Sequence, residues 1–162
     1  MTLDGARVMK RIIAAFAKSS VALLLACFLV SRDEVSRVTS PSGDVDAVLF
    51  EDNGGATTSF GYVVYLVPRG KSARSSAAVA SFYGAARSDQ AYGINLRWRS
   101  ADHLALEYLS ARSHELLRPH FEVGERAIHV ELAPGVSDPL APPGGMLYNL
   151  QGRPDDRQRV AR

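Results

Sequence analysis

From residue 37 onward, apolar positions come in short runs broken by Gly, Pro, Asn and Asp, with little of the 3.6-residue spacing that marks helices. Pro41-Ser42-Gly43-Asp44 reads as a turn, 45–51 as a strand and Asp52-Asn53-Gly54-Gly55 as a second turn. The segment 59–67, SFGYVVYLV, is β-branched and aromatic on both alternating faces, which predicts a central strand covered on both sides and ended by Pro68-Arg69-Gly70. A polar loop over 71–76, a strand over 77–83 and another loop over 84–93 follow. Ile94, Leu96 and Trp98 then alternate with polar residues, as do Leu104, Leu106 and Tyr108. Pairing Trp98 with Leu104 gathers all six on one buried face and leaves Ser100-Ala101-Asp102 as the loop.

The stretch 109–117 reads as one short helix. Beyond it, 119–123 and 126–132 flank Gly124-Glu125, where Gly in the first central position predicts a type II′ hairpin turn. In that register Val123 pairs with Arg126, Phe121 with Ile128, His120 with His129 and Arg118 with Glu131. The Pro-rich stretch 134–143 is a surface connection, 146–150 a last strand and 151–162 a polar tail. Strands at turn spacings near ten residues predict a mainly β domain over 32–150, an antiparallel β-sandwich or a strongly twisted β-meander.

The first 31 residues differ from the rest. Residues 12–30 form an apolar run with Lys18 as the only charge, preceded by Lys10-Arg11 and followed by Asp33-Glu34. As a helix the run would measure about 28 Å, close to the hydrocarbon thickness of a bilayer. Its flanks follow the positive-inside rule, placing the N-terminus in the cytoplasm and the domain beyond the membrane. The expectation is one N-terminal apolar helix, transmembrane or signal, over 1–31. Leu24-Leu25-Ala26-Cys27 also resembles a lipoprotein lipobox, which makes Cys27 a lipidation candidate. Phe28-Leu29-Val30 continues the apolar run where lipoproteins usually turn polar. Anchor, lipoprotein and secreted protein, with Met1 or Met9 as the start, stay open alternatives to a buried helix.

Charge bears on partners through its placement. The whole chain carries +2, but residues 1–31 hold +3, so the remainder is +2 less +3, or −1. The body therefore lacks the basic footprint of a nucleic-acid binder. Cys27 is the single cysteine, so the domain folds with no disulfide, thiolate metal site or cysteine nucleophile.

Residues 40–68, SPSGDVDAVLFEDNGGATTSFGYVVYLVP, resemble a family of uncharacterised small bacterial envelope proteins that carry an N-terminal signal or anchor and a Gly-Ala-Thr-Thr-Ser motif. The resemblance implies an envelope location and no particular activity.

Candidate chemistry is sparse. Gly54-Gly55-Ala56-Thr57-Thr58-Ser59 is small and hydroxyl-rich, and Thr57, Thr58 and Ser59 with glycine-freed N–H groups are an anion-nest candidate. It is no P-loop, since no Gly-Lys-Ser/Thr follows, and Thr57 stands where a nucleophile elbow needs Gly. A hydrolase would need Ser59 beside one of the histidines at 103, 114, 120 or 129, and no spacing joins them. The predicted hairpin puts His120, Glu122, His129 and Glu131 on one face, a donor set for Zn²⁺ or another borderline metal set against an ordinary solvated face. The reading that best fits these features is a non-catalytic domain with no cofactor. It is tethered to the membrane through 12–30 and contacts an envelope protein or polymer, with a small-molecule or lipid carrier as the alternative.

Overall fold

The computed structural model describes residues 31–55, 57–73 and 76–141. The expected apolar helix, Cys27, the strand at 146–150 and the polar tail lie outside the described residues. Among those described, no helix is long and apolar enough to cross a membrane.

The described residues fold as β-strands in three sheets. β1 (Ser31–Thr39), β2 (Val45–Asn53), β3 (Gly61–Pro68), β4 (Ala78–Tyr83) and β9 (Ser113–Leu116) form a five-stranded sheet in the order β1-β2-β3-β4-β9. The first four neighbours are consecutive in the chain and antiparallel, a meander. β5 (Arg87–Ser88) and β6 (Ala91–Tyr92) make a small hairpin inside the expected 84–93 loop. β7 (Asn95–Trp98), β8 (His103–Tyr108), β10 (His120–Val123) and β11 (Arg126–Pro134) form a second sheet in the order β10-β11-β8-β7.

One apolar cluster joins the two large sheets. Alternation along β2 and β3 sends Val45, Ala47, Leu49, Tyr62, Val64 and Leu66 to this side, where they meet Leu96, Leu104, Leu106, Ile128 and Val130 of the second sheet. The opposite face of the first sheet carries a smaller cluster of Val48, Phe50, Val67 and Tyr65, closed by Ala73 from the loop after β3. β3 is therefore apolar on both faces, as expected for a central strand.

Both predicted hairpins keep their registers. Trp98 pairs with Leu104, and the Arg99 N–H reaches the His103 carbonyl at 2.8 Å, which leaves Ser100-Ala101-Asp102 as the loop. Val123 pairs with Arg126, and Gly124 takes φ +61° while no non-glycine residue among those described has positive φ, the combination a II′ turn requires.

Four features differ from expectation. The 109–117 segment is not a helix; its centre is β9, which satisfies the outer edge of β4. β8 and β11 run parallel, so the domain is not antiparallel throughout. The chain between them visits the first sheet as β9 and returns through β10, which brings β11 back along β8 in the same direction. Arg118 does not face Glu131: its N–H and guanidinium bond the backbone carbonyls of Val79 and Ala78 in the first sheet. Trp98 is half-buried rather than fully so, and its indole Nε1 donates to the Val38 carbonyl at 3.0 Å, which spans from β7 to β1.

Candidate functional site

The outer face of the second sheet concentrates the donor atoms of the domain. Its inner positions are spent on the core, so period-two alternation turns His103 and Ala105 of β8, His129 and Glu131 of β11, and His120 and Glu122 of β10 outward. The parallel pairing sets His129 beside His103 and Glu131 beside Ala105. The hairpin sets His120 on the other side of His129. Three imidazoles thus cross three adjacent strands in one row, with ring centroids 4.9 Å apart at each step. That interval matches the usual strand spacing of about 4.7–4.9 Å.

Within this row His103, His129 and Glu131 each offer a ligand atom, all within 4.8 Å of one another. His103 Nε2 lies 3.3 Å from Glu131 Oε2. The arrangement there is not that of a hydrogen bond, and Nε2, although buried, has no hydrogen-bond partner. The hairpin residues expected to share a metal are thereby divided. His129 and Glu131 belong to the cluster, His120 stands next to it, and Glu122 pairs across the hairpin with Ala127. His103 was not among the expected ligands. Nothing near it in the chain marks it, since its place beside His129 depends on a strand pair separated by two intervening strands.

The residues at 57–59 sit in a closed turn. The Gly55 N–H donates to Asn53 Oδ1 at 2.9 Å, the Thr58 N–H to the Gly55 carbonyl at 3.2 Å and the Ser59 N–H to the Tyr83 hydroxyl at 3.1 Å. Thr58 Oγ1 also points back to the Gly55 carbonyl, at 3.3 Å. Three N–H groups of the expected anion nest, those of Gly55, Thr58 and Ser59, are thus directed at acceptors within the protein. Of the histidines, His114 lies in the first sheet against Phe82 and Tyr108, and the other three lie on the outer face of the second.

Two further polar features escaped the sequence pattern. Glu51 faces the core from β2 and meets Arg87 at 3.3 Å, with both side chains under 10% exposed. Arg87 also lies over the rings of Phe60 and Tyr92, 3.7 and 4.4 Å from their centroids, and donates to the Tyr92 hydroxyl. Burial raises the Glu51 carboxyl above its ordinary value, and the positive charge of Arg87 only partly opposes this. Burial first, then the charge of Glu51, pushes the Tyr62 phenol up as well. Gly93, at φ +76°, closes the cluster, because a Cβ there would come within 2.9 Å of the Tyr62 hydroxyl.

The second feature is a cleft of about 320 Å³ on the outer face of the first sheet, lined by Arg32, Phe50, Tyr65 and Ala73. The Arg32 guanidinium lies 5.5 and 5.8 Å from the Phe50 and Tyr65 ring centroids and donates to the Tyr65 hydroxyl. Comparison with known proteins finds no family model that matches the chain, and no similar curated protein or solved structure.

Proposed function

We propose that the chain is a membrane-tethered β-sandwich of the cell envelope that binds rather than catalyses. The observation that carries this reading is the apolar run of residues 12–30, entered through Lys10-Arg11 and followed by a folded β domain. Beyond it, the described residues from Ser31 onward pair into sheets around an apolar core of their own, a domain that needs no part of the run to fold. The resemblance of residues 40–68 to small envelope proteins supports the same location. The buried Glu51–Arg87 pair suits a structural role, since its groups are engaged with one another and with aromatic rings.

Fractionation of cells producing the full chain, with intact mass measurement, tests the tether. The expected result is a membrane fraction containing the uncleaved or Cys27-lipidated chain, while a chain lacking residues 1–30 is soluble. Full chain recovered in the soluble fraction would overturn the proposal.

The cleft beside Arg32 favours a second reading, the carrier. Its two aromatic rings and one guanidinium suit a small ligand with an apolar body and an anionic end.

A further inference from the structure

The row of imidazoles on the second sheet has a geometry that a merely solvated face does not call for. In a tetrahedral site with metal–ligand distances of about 2.0–2.1 Å, neighbouring ligand atoms lie about 3.3–3.4 Å apart. The 3.3 Å between His103 Nε2 and Glu131 Oε2 is one such edge, already formed. The buried Nε2 of His103 has no hydrogen-bond partner, an arrangement that costs free energy when nothing else is bound there. The third donor, on His129, belongs to the same group with all ligand atoms within 4.8 Å, so small side-chain rotations close the remaining edges.

We propose that His103, His129 and Glu131 form a binding site for a divalent transition metal of the Zn²⁺ type. Two imidazoles and one carboxylate are borderline donors that suit Zn²⁺ better than Mg²⁺ or Ca²⁺, which take oxygen-rich sets. Two strands paired over several residues hold the three ligands, so the site forms together with the β8–β11 ladder and its metal stabilises that ladder. The fourth coordination position falls to water. The proposal is independent of the tether, because none of its residues lies near the N-terminal segment in the sequence.

The test is Zn²⁺ titration of the full chain in detergent, in competition with a chromophoric chelator, alongside thermal melts with and without the metal. One equivalent is expected to bind and to raise the melting temperature. His103→Gln and Glu131→Gln are each expected to weaken binding at least about tenfold, whereas His120→Gln leaves it within about twofold. Far-UV circular dichroism checks that each variant keeps its strands. The unmodified chain supplies an independent reading: in NMR spectra the ring resonances of His103 and His129 shift on adding Zn²⁺, and those of His114 do not. Absence of Zn²⁺ binding would overturn the proposal. So would binding that survives His103→Gln but is lost in His120→Gln, the result expected of a site confined to the β10–β11 hairpin. Unmoved His103 resonances at saturating Zn²⁺ would have the same force.

Discussion

Single side chains carry large electrostatic commitments in the domain, Glu51 with Arg87 and Asp46 with its donors among them. Removing one member of a buried ion pair leaves the other charge uncompensated, which costs about 3–5 kcal/mol, whereas replacing both with apolar groups is often neutral. Arg87→Ala is therefore expected to lower stability by that amount in urea denaturation, and the double variant Glu51→Leu with Arg87→Met to recover most of it. Asp46 behaves oppositely to Glu51. Burial alone would raise its carboxyl, but the Gly70 N–H at 2.8 Å, Thr39 Oγ1 at 2.8 Å and Arg37 Nη1 at 2.9 Å hold it below the ordinary range. With a depressed folded-state value, its contribution is full above the ordinary carboxylate pKa near 3.8 and is lost as pH falls through the folded one. Urea midpoints measured from pH 6 to pH 2 should fall less steeply in Asp46→Asn, which starts lower at pH 6. For Glu51 the sign reverses: its contribution is full below the ordinary value and is lost as pH rises through the raised one.

Elements pair according to which edges need covering as well as local preference. β1 is a charged edge strand, with Arg32, Asp33, Glu34 and Arg37 along it and a register shift between Glu34 and Ser36. Charge and bulge together discourage another sheet from adding there. They also break the period-two pattern, so the first half of this strand shows no strand signal in the sequence. β9 is the complementary case, a short exposed segment whose strand conformation comes from its partner β4. Trp98 ties β7 of one sheet to β1 of the other through its indole and its partial burial. Trp98→Ala is expected to cost about 3 kcal/mol. Trp98→Phe, which retains most of the area but not the hydrogen bond, should cost about 1 kcal/mol. A Trp98→Phe variant that melts like the parent would show that the bond contributes nothing.

At the scale of the whole molecule, the boundary between tether and domain makes a prediction about truncation. A chain lacking residues 1–30 keeps Ser31–Thr39 of β1 and should fold and stay soluble. A chain lacking residues 1–39 loses β1, exposes the edge of β2 and removes the Val38 acceptor of Trp98, so it should aggregate on expression. Static light scattering and circular dichroism of the two products separate these outcomes. The metal proposal also belongs to this scale, since His103 and His129 meet only because two distant strands run side by side.

Local chemistry determined much of this protein. Alternation of Ile94, Leu96 and Trp98 against Leu104, Leu106 and Tyr108, together with the II′ turn at Gly124, set two hairpin registers that depend only on neighbouring residues. The double apolar face of β3 and the mainly β character follow from composition at period two. Tertiary structure decided what no local pattern encodes. It decided that 109–117 extends along β4, that Glu51 faces inward to Arg87, and that β11 lies parallel to β8. The candidate site divides along the same line. The facing of His120 and His129 was legible because a tight turn fixes its hairpin, whereas the approach of His103 was not. Pairing between strands far apart in the chain is settled by burial of the shared core and by satisfaction of backbone groups along sheet edges, which act on the folded molecule as a whole.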